Sequence, residues 1–213
     1  MTNMKKLFLC ALAAVTLLNA CRPAAYVAPN FEQTRAQHHT AAILPFDAMI
    51  SPKRMSKNVT PEVLAQMEEK SGYALQNAVY AYFLRETAKK RYVISFQDID
   101  ASNAMLAQKG LTYEDIRDKS KAELCRLLDV DVVVSGKVEM DQPMSEAAAI
   151  AVGMVFNFWG NTNRVSSTVS IHDQAGKLLW KYNHSASGSV GSDAQTLSRR
   201  LMRKAAKCFP YRK

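Results

Sequence analysis

The sequence lacks any uncharged apolar stretch of the roughly 20 residues that a membrane-spanning helix needs, and its two sustained runs, Leu7 to Leu18 and Ala147 to Trp159, stop well short. It lacks G-x-S-x-G, H-E-x-x-H, P-loop and G-x-G-x-x-G patterns as well, which removes the catalytic and nucleotide-binding classes readable from local motifs. His172 and His184 have no acid or nucleophile at diagnostic spacing. The paired His38 and His39 have no Cys, Asp or Glu beside them, so they read as solvated rather than metal-ligating. No catalytic residue, metal or cofactor is therefore assigned. With 8 glycines and 7 prolines in 213 residues, collagen-like and low-complexity compositions are excluded. Acids are the scarce charge, 19 against 28 Lys and Arg, a net +9. What remains is 48% hydrophobic and 22% charged, enough for one globular domain with a real core.

The N-terminus carries the clearest signal. Lys5 and Lys6 precede the apolar run, which has the length of a signal-peptide core. The run closes on Leu18-Asn19-Ala20-Cys21, which resembles the lipobox of bacterial lipoproteins: an aliphatic residue, two smaller positions, then cysteine. A thiol is the nucleophile that takes the lipid, and small Ala20 leaves the scissile bond accessible. Leu18-x-Ala20 fits the A-x-A rule of plain secretory cleavage poorly. The resemblance implies that residues 1 to 20 are a cleaved signal peptide and that Cys21 is acylated, anchoring the chain in a bilayer. At about 0.8 kcal/mol per buried methylene, two or more acyl chains hold almost permanently. Arg22, where the enteric sorting rule places an Asp for inner-membrane retention, points to the outer membrane, facing the periplasm.

Removing the leader leaves 26 basic residues against 19 acids, a net +7. Outside the cytoplasm such a surface favours anionic headgroups, acidic polymers or an acidic protein, and nucleic acid drops out as a partner. With Cys10 in the leader and Cys21 lipidated, Cys125 and Cys208 remain. In an oxidising compartment they are a candidate disulfide, or two free thiols; spacing alone does not decide.

Residues 21 to 39, with Pro23 and Pro29 and no sustained period, read as a flexible lipidated tether. From Thr40 to Lys213 an α/β domain is expected. Thr40-Ala-Ala-Ile-Leu-Pro-Phe46 reads as a buried strand that leaves the sheet at Pro45. Thr60-Pro61-Glu62 caps a long helix with Leu64, Met67, Leu75, Ala78, Val79, Tyr82 and Phe83 on its apolar face. Arg91 to Phe96 is a strand, and Asp98 to Gln108 a helix closed by Gly110. Thr112 to Asp115 and Ser120 to Glu123 have capping-box spacing. The valines of Asp131 to Val138 suit a strand buried on both faces, with Gly136 marking a bulge or a close approach. Val165, Val169 and Ile171 alternate with Ser166, Thr168 and Ser170. After a turn at Asp173 to Gly176, Leu178, Trp180 and Tyr182 alternate with Lys177, Leu179 and Lys181, the pattern of an antiparallel hairpin. Ser192 and Gln195 open a last helix with Ala194, Leu197, Leu201, Ala205 and Cys208 inward. The expected fold is a mixed β-sheet flanked by helices, in the order β-α-β-α-α-β-β-β-α.

Glu123-Leu-Cys-Arg-Leu-Leu-Asp-Val-Asp-Val-Val-Val-Ser-Gly-Lys-Val138, read with Ile43-Leu-Pro-Phe46 and Asp173-x-x-Gly-x-Leu-Leu-Trp180, resembles the superfamily sharing the TolB N-terminal fold. It includes the curli secretion lipoprotein and lipoprotein activators of penicillin-binding proteins. The resemblance runs over residues 40 to 208 in element order, and Asp129 stands where the family commonly has glycine. It implies a non-catalytic envelope lipoprotein that assembles or regulates a secretion, transport or peptidoglycan-synthesis complex. An oligomeric pore like the curli exporter and a small-molecule or envelope-polymer binder are the alternatives, and a homo-oligomer stays open.

Two surfaces are candidate contacts. The uncharged stretch from Ala147 to Trp159 would present Phe156, Phe158 and Trp159 to a partner or membrane, or pack into the core. On the last helix Arg199, Arg203 and Lys207 fall four residues apart, flanked by Arg200 and Lys204. This basic stripe is either a solvated face or a docking face for anionic lipid or an acidic protein.

Overall fold

The computed structural model describes residues 25–52, 60–142, 164–187 and 202–213. Seven strands form one mixed sheet: β1 (Ala25–Val27), β2 (Thr40–Ile43), β3 (Asp47–Pro52), β4 (Ser95–Phe96), β5 (Val132–Gln142), β6 (Arg164–Asp173) and β7 (Leu178–Ser187). Their order is β1-β7-β6-β5-β2-β4, with β3 also on β5. Strands β4, β2, β3 and β5 run parallel, and β5, β6, β7 and β1 are antiparallel. The helices are α1 (Phe31–Thr34), α2 (Pro61–Ala88), α3 (Ile99–Gln108), α4 (Tyr113–Asp118), α5 (Lys121–Leu128) and a last helical segment over residues 202–207, α6. The expected mixed sheet flanked by helices is therefore present. No helix among the described residues is long and apolar enough to cross a membrane.

The alternation of side chains across the sheet divides the core in two. Ile43, Val132, Val134, Val169, Ile171, Trp180 and Tyr182 point toward α2 and α6, where they meet Leu75, Val79, Phe83, Met202 and Phe209. Ala42, Leu44 and Val133 point the other way, onto Leu106, Ile116, Leu124, Cys125 and Leu128 of α3, α4 and α5. This is why β5 is valine on both faces where it begins. In the larger core Phe83 and Phe209 pack with ring centroids 4.6 Å apart, beside Tyr92 and Phe96. Such aromatic pairs contribute about 0.5–1.5 kcal/mol each beyond their area burial.

Local signals produced the helices. The Thr60 side chain accepts from Val63 N at 3.4 Å with Pro61 in the first turn, as the sequence predicts, and α2 ends at Ala88 with Lys89 as its C-cap. Its inward residues are those expected except Ala78, which is exposed. Thr112 and Asp115 form the full reciprocal capping box, whereas Ser120 caps Glu123 N without the return bond.

Four expectations are corrected. The segment read as a tether contains β1, which pairs with Val27 opposite Trp180, and α1, whose Phe31 is buried against Tyr211. The ordered domain thus begins by Ala25, because a three-residue strand and a one-turn helix gain their stability from packing, with no periodicity of their own to read. Pro45 does not send the chain away from the sheet: β2 pairs with Val132 to Val134 and β3 rejoins the same strand from Lys137 onward. Pro45 only removes one donor between them. Within Arg91 to Phe96 only Ser95 and Phe96 are strand, Tyr92 making an isolated bridge to Arg212. Lastly, Leu179 is buried, not outward with Lys177 and Lys181. A bulge between Ile171 and His172 skips it in the β6–β7 register, so two neighbouring residues, Leu179 and Trp180, are both inside.

Gly136 is a close approach. The ring of Phe46 lies so near that a Cβ at Gly136 would stand 2.0 Å from it. Gly72 of α2 is pressed against the same break between β2 and β3, where a Cβ would be 2.4 Å from Phe46 O. Phe46 N donates to Gly72 O at 3.2 Å, and the Tyr113 hydroxyl donates to Phe46 O at 2.7 Å while accepting from Ala48 N at 3.0 Å. Gln76 and Asn103 exchange amide bonds at 3.0 Å, and Gln76 also donates to Ile43 O at 2.7 Å. These contacts fix α2, α3 and α4 to the β2–β3 break.

Candidate functional site

The basic stripe is the candidate that the described residues develop furthest. Arg203, Lys204 and Lys207 are all exposed on α6, whose Met202, Ala205 and Ala206 face the core. Arg199 and Arg200 lie outside the described residues, as do Cys21, Phe156, Phe158 and Trp159. Arg203 Nε donates to the Tyr82 hydroxyl at 3.1 Å, and the guanidinium of Arg85 lies 5.2 Å from the centroid of the same ring. Two guanidinium groups thus share one tyrosine, by a hydrogen bond and by cation–π attraction. Lys204 Nζ stands 3.1 Å from His184 Nε2 on β7. Among the described residues no carboxylate lies within ion-pair distance of Arg85, Arg203, Lys204 or Lys207; the acids pair elsewhere, as Glu86 does with Arg91 at 2.8 Å. Among the described residues the patch's positive charge is uncompensated.

Strand β1 lies at the edge of the sheet next to this patch. It runs antiparallel to β7 with Ala25 opposite Tyr182, so its N-terminal end points toward the end of β7 that carries His184. Tyr26 and Val27 are 49% and 46% exposed. The sequence shows the stripe through its four-residue spacing. It does not show Tyr82 and His184 as partners, because those contacts join residues 121 and 20 positions apart. Tyr82 in particular reads as core by helical period, and its ring is only half-buried.

Among the described residues, two concavities lie elsewhere. One, of about 170 Å³, opens between α4, α5 and the sheet and is lined by Asp47, Arg117, Lys121, Lys137, Ser135 and Ser170 among others. Burial lowers the Lys121 ammonium, against the pull of Asp47 and Asp118. Its Nζ is spent on the carbonyls at the end of α4, Arg117 O at 3.4 Å and Ile116 O at 3.5 Å. The other, of about 310 Å³, is lined by Glu32, Arg35, His38, His39 and Val93. His38 is not simply solvated as expected: its Nδ1 lies 2.7 Å from the Tyr211 hydroxyl, and burial holds its pKa low against the opposing pull of Asp131 and Asp173. His39 is exposed, and its backbone N–H donates to Asp131 at 2.7 Å. Among the described residues no three His, Cys, Asp or Glu are grouped to hold a metal ion.

Cys125 and Cys208 are both free thiols, which corrects the candidate disulfide. The sheet stands between them: Cys125 packs under α5 in the smaller core and Cys208 against the larger one. Burial pushes the Cys125 thiol up to about 12, so it carries no nucleophilic thiolate near neutral pH.

No family model matches the sequence, and no curated protein matches it significantly. Solved structures of similar fold include lipoprotein GNA1162 from Neisseria meningitidis, 15% identical over 80% of this chain and 96% of that one, with a TM-score of 0.48. A PelC dodecamer from Paraburkholderia phytofirmans is 13% identical over 87% and 92% of the two chains, TM-score 0.41. The LpoB C-terminal domain from Salmonella enterica is 10% identical over 75% and 94%, TM-score 0.36. At these identities what this chain has in common with them is the course of the backbone.

Proposed function

We propose that this chain is a lipid-anchored envelope lipoprotein that serves as a non-catalytic assembly or regulatory component of an envelope complex. The observation that carries the reading is the run from Lys5 to Cys21: a basic start, an apolar core too short to span, and a cysteine in the position that lipoprotein processing requires. A tethered α/β domain needs no active site to do such work. The described residues fit that role, since their titratable side chains serve caps, packing and surface charge. Arg22 favours the outer membrane, facing the periplasm.

Fractionation of cells tests the proposal. The full chain is expected in the outer-membrane fraction and the Cys21→Ala variant is not; wild-type protein that is soluble after cell lysis contradicts the anchor. The mass of the acylated protein in mild detergent then separates a regulator, expected as a monomer or small complex, from a ring-forming pore subunit.

A further inference from the structure

We propose that the β1 edge and the basic face of α6 rest on anionic phospholipid headgroups of the membrane that Cys21 enters. The inference rests on the anchor reading above and adds an orientation to it. Only Arg22, Pro23 and Ala24 separate Cys21 from β1. Four consecutive Cα steps span at most about 14 Å. The headgroup layer itself takes up roughly 5–8 Å of each leaflet. Ala25 is therefore held within about one Debye length, ~8 Å, of the lipid phosphates. A domain tied this closely cannot turn an arbitrary face to the bilayer.

The face it turns is set by strand direction. The N-terminal end of β1 points toward the His184 end of β7, and Lys204 lies against His184. Arg203, Lys204 and Lys207 are exposed there, with no carboxylate among the described residues in ion-pair reach. Each basic group close to an anionic surface strengthens association about fivefold, so the three together amount to on the order of a hundredfold. Tyr26, half-exposed on β1, suits the interfacial layer, where an apolar body with a polar tip is at home, and the half-exposed Val27 adds apolar surface beside it. An exposed three-residue edge strand would otherwise be open to pairing with another chain; a bilayer covers it.

The test uses the acylated protein in vesicles of phosphatidylcholine, alone or mixed with phosphatidylglycerol. A fluorophore is placed by Tyr26→Cys or, as control, by Lys109→Cys at the exposed C-terminal cap of α3, both in a Cys208→Ser background. Quenching by headgroup spin-labelled lipid is then read. The expected result is strong quenching at position 26 and little at 109 in the mixed vesicles. Salt, or the set Arg203→Gln, Lys204→Gln and Lys207→Gln, frees the domain to turn about its tether and raises the quenching at 109 severalfold toward that at 26, with no such effect in phosphatidylcholine alone. Equal quenching at the two positions, or quenching indifferent to salt and to the substitutions, overturns the inference. So does a set of substitutions that changes the oligomeric mass and leaves quenching untouched, because the basic face would then belong to a second copy or an acidic protein. Salt dependence of the wild type reads the same effect if the substituted protein folds poorly. The mass of the Cys21 peptide is measured on the same sample: an acylated Cys21 with equal quenching at 26 and 109 refutes the orientation alone, and an unmodified Cys21 refutes the anchor.

Discussion

Lys204 Nζ stands 3.1 Å from His184 Nε2, and because an ammonium only donates, the imidazole must accept and is held neutral, with its proton on Nδ1. Burial, then the Lys204 charge, lowers the His184 pKa from its ordinary 6.5. His38 and His172 are lowered too, chiefly by burial, with Lys121 adding to the effect at His172. A group with a depressed folded pKa stabilises the fold fully above its unfolded value and loses that contribution as pH falls through the folded one. Stability to urea should therefore be flat from pH 6.5 to about pH 8, below the ordinary range of the buried Cys125 thiol, and decline below 6.5. Imidazole titrations followed by NMR should place these three histidines below 6.5; values at or above it would contradict the contacts described.

The contact of Phe46 with Gly72 and Gly136 predicts which small substitutions are costly. Gly72→Ala puts a methyl against the Phe46 carbonyl oxygen, which cannot move without breaking the β2–β3 junction, and should cost about 1–3 kcal/mol or more. Gly136→Ala displaces the Phe46 ring and should cost a similar amount. Tyr113→Phe leaves Phe46 O and Ala48 N without their partner and should cost about 1–3 kcal/mol. Urea denaturation of the three variants measures this, with Gly110→Ala as a contrast in which nothing crowds the new methyl and only the positive φ of 74° is strained.

Asp129 closes α5 in the left-handed region, φ 53°, where the family resembled commonly has glycine. Its side chain is exposed. Asp129→Gly relieves that strain and gives some of the gain back through the looser unfolded chain. The expected net is a stabilisation of up to about 1 kcal/mol, seen as a raised urea midpoint with unchanged slope.

Free Cys125 and Cys208 on opposite sides of the sheet predict two titratable thiols in the denatured mature chain. In the native protein Cys208, partly exposed, should react with a thiol reagent first, and Cys125 only as the protein opens. Electrophoresis without reductant should show no compaction.

Where a signal is local, the sequence reads well. Thr60-Pro61, Thr112-x-x-Asp115 and the alternation from Val165 to Ile171 each specify their element through neighbours within a few residues. Where a partner distant in sequence decides, it does not. Leu179 turns inward because of a bulge in the pairing of β6 with β7, and β1 exists only because β7 offers it an edge. Asp131 reads only as the start of the valine strand, yet its carboxylate accepts from His39 N and Thr40 N and ties the start of β2 to β5. The same division holds at the basic face. The spacing of Arg203 and Lys207 marks a stripe, while Tyr82 and His184 join it from elements far along the chain. Gly136 could be read as a close approach but not its occupant, Phe46, since glycine records only that something needs the space.

The anchor at Cys21 is the claim on which both the function and the orientation depend, and the mass of the N-terminal peptide of the mature protein, isolated from bacterial membranes, tests it most directly. The expected peptide begins at Cys21 and carries the added mass of a diacylglyceryl group, with or without a further acyl chain. A mature chain that begins elsewhere, or that begins at an unmodified Cys21, would contradict the account.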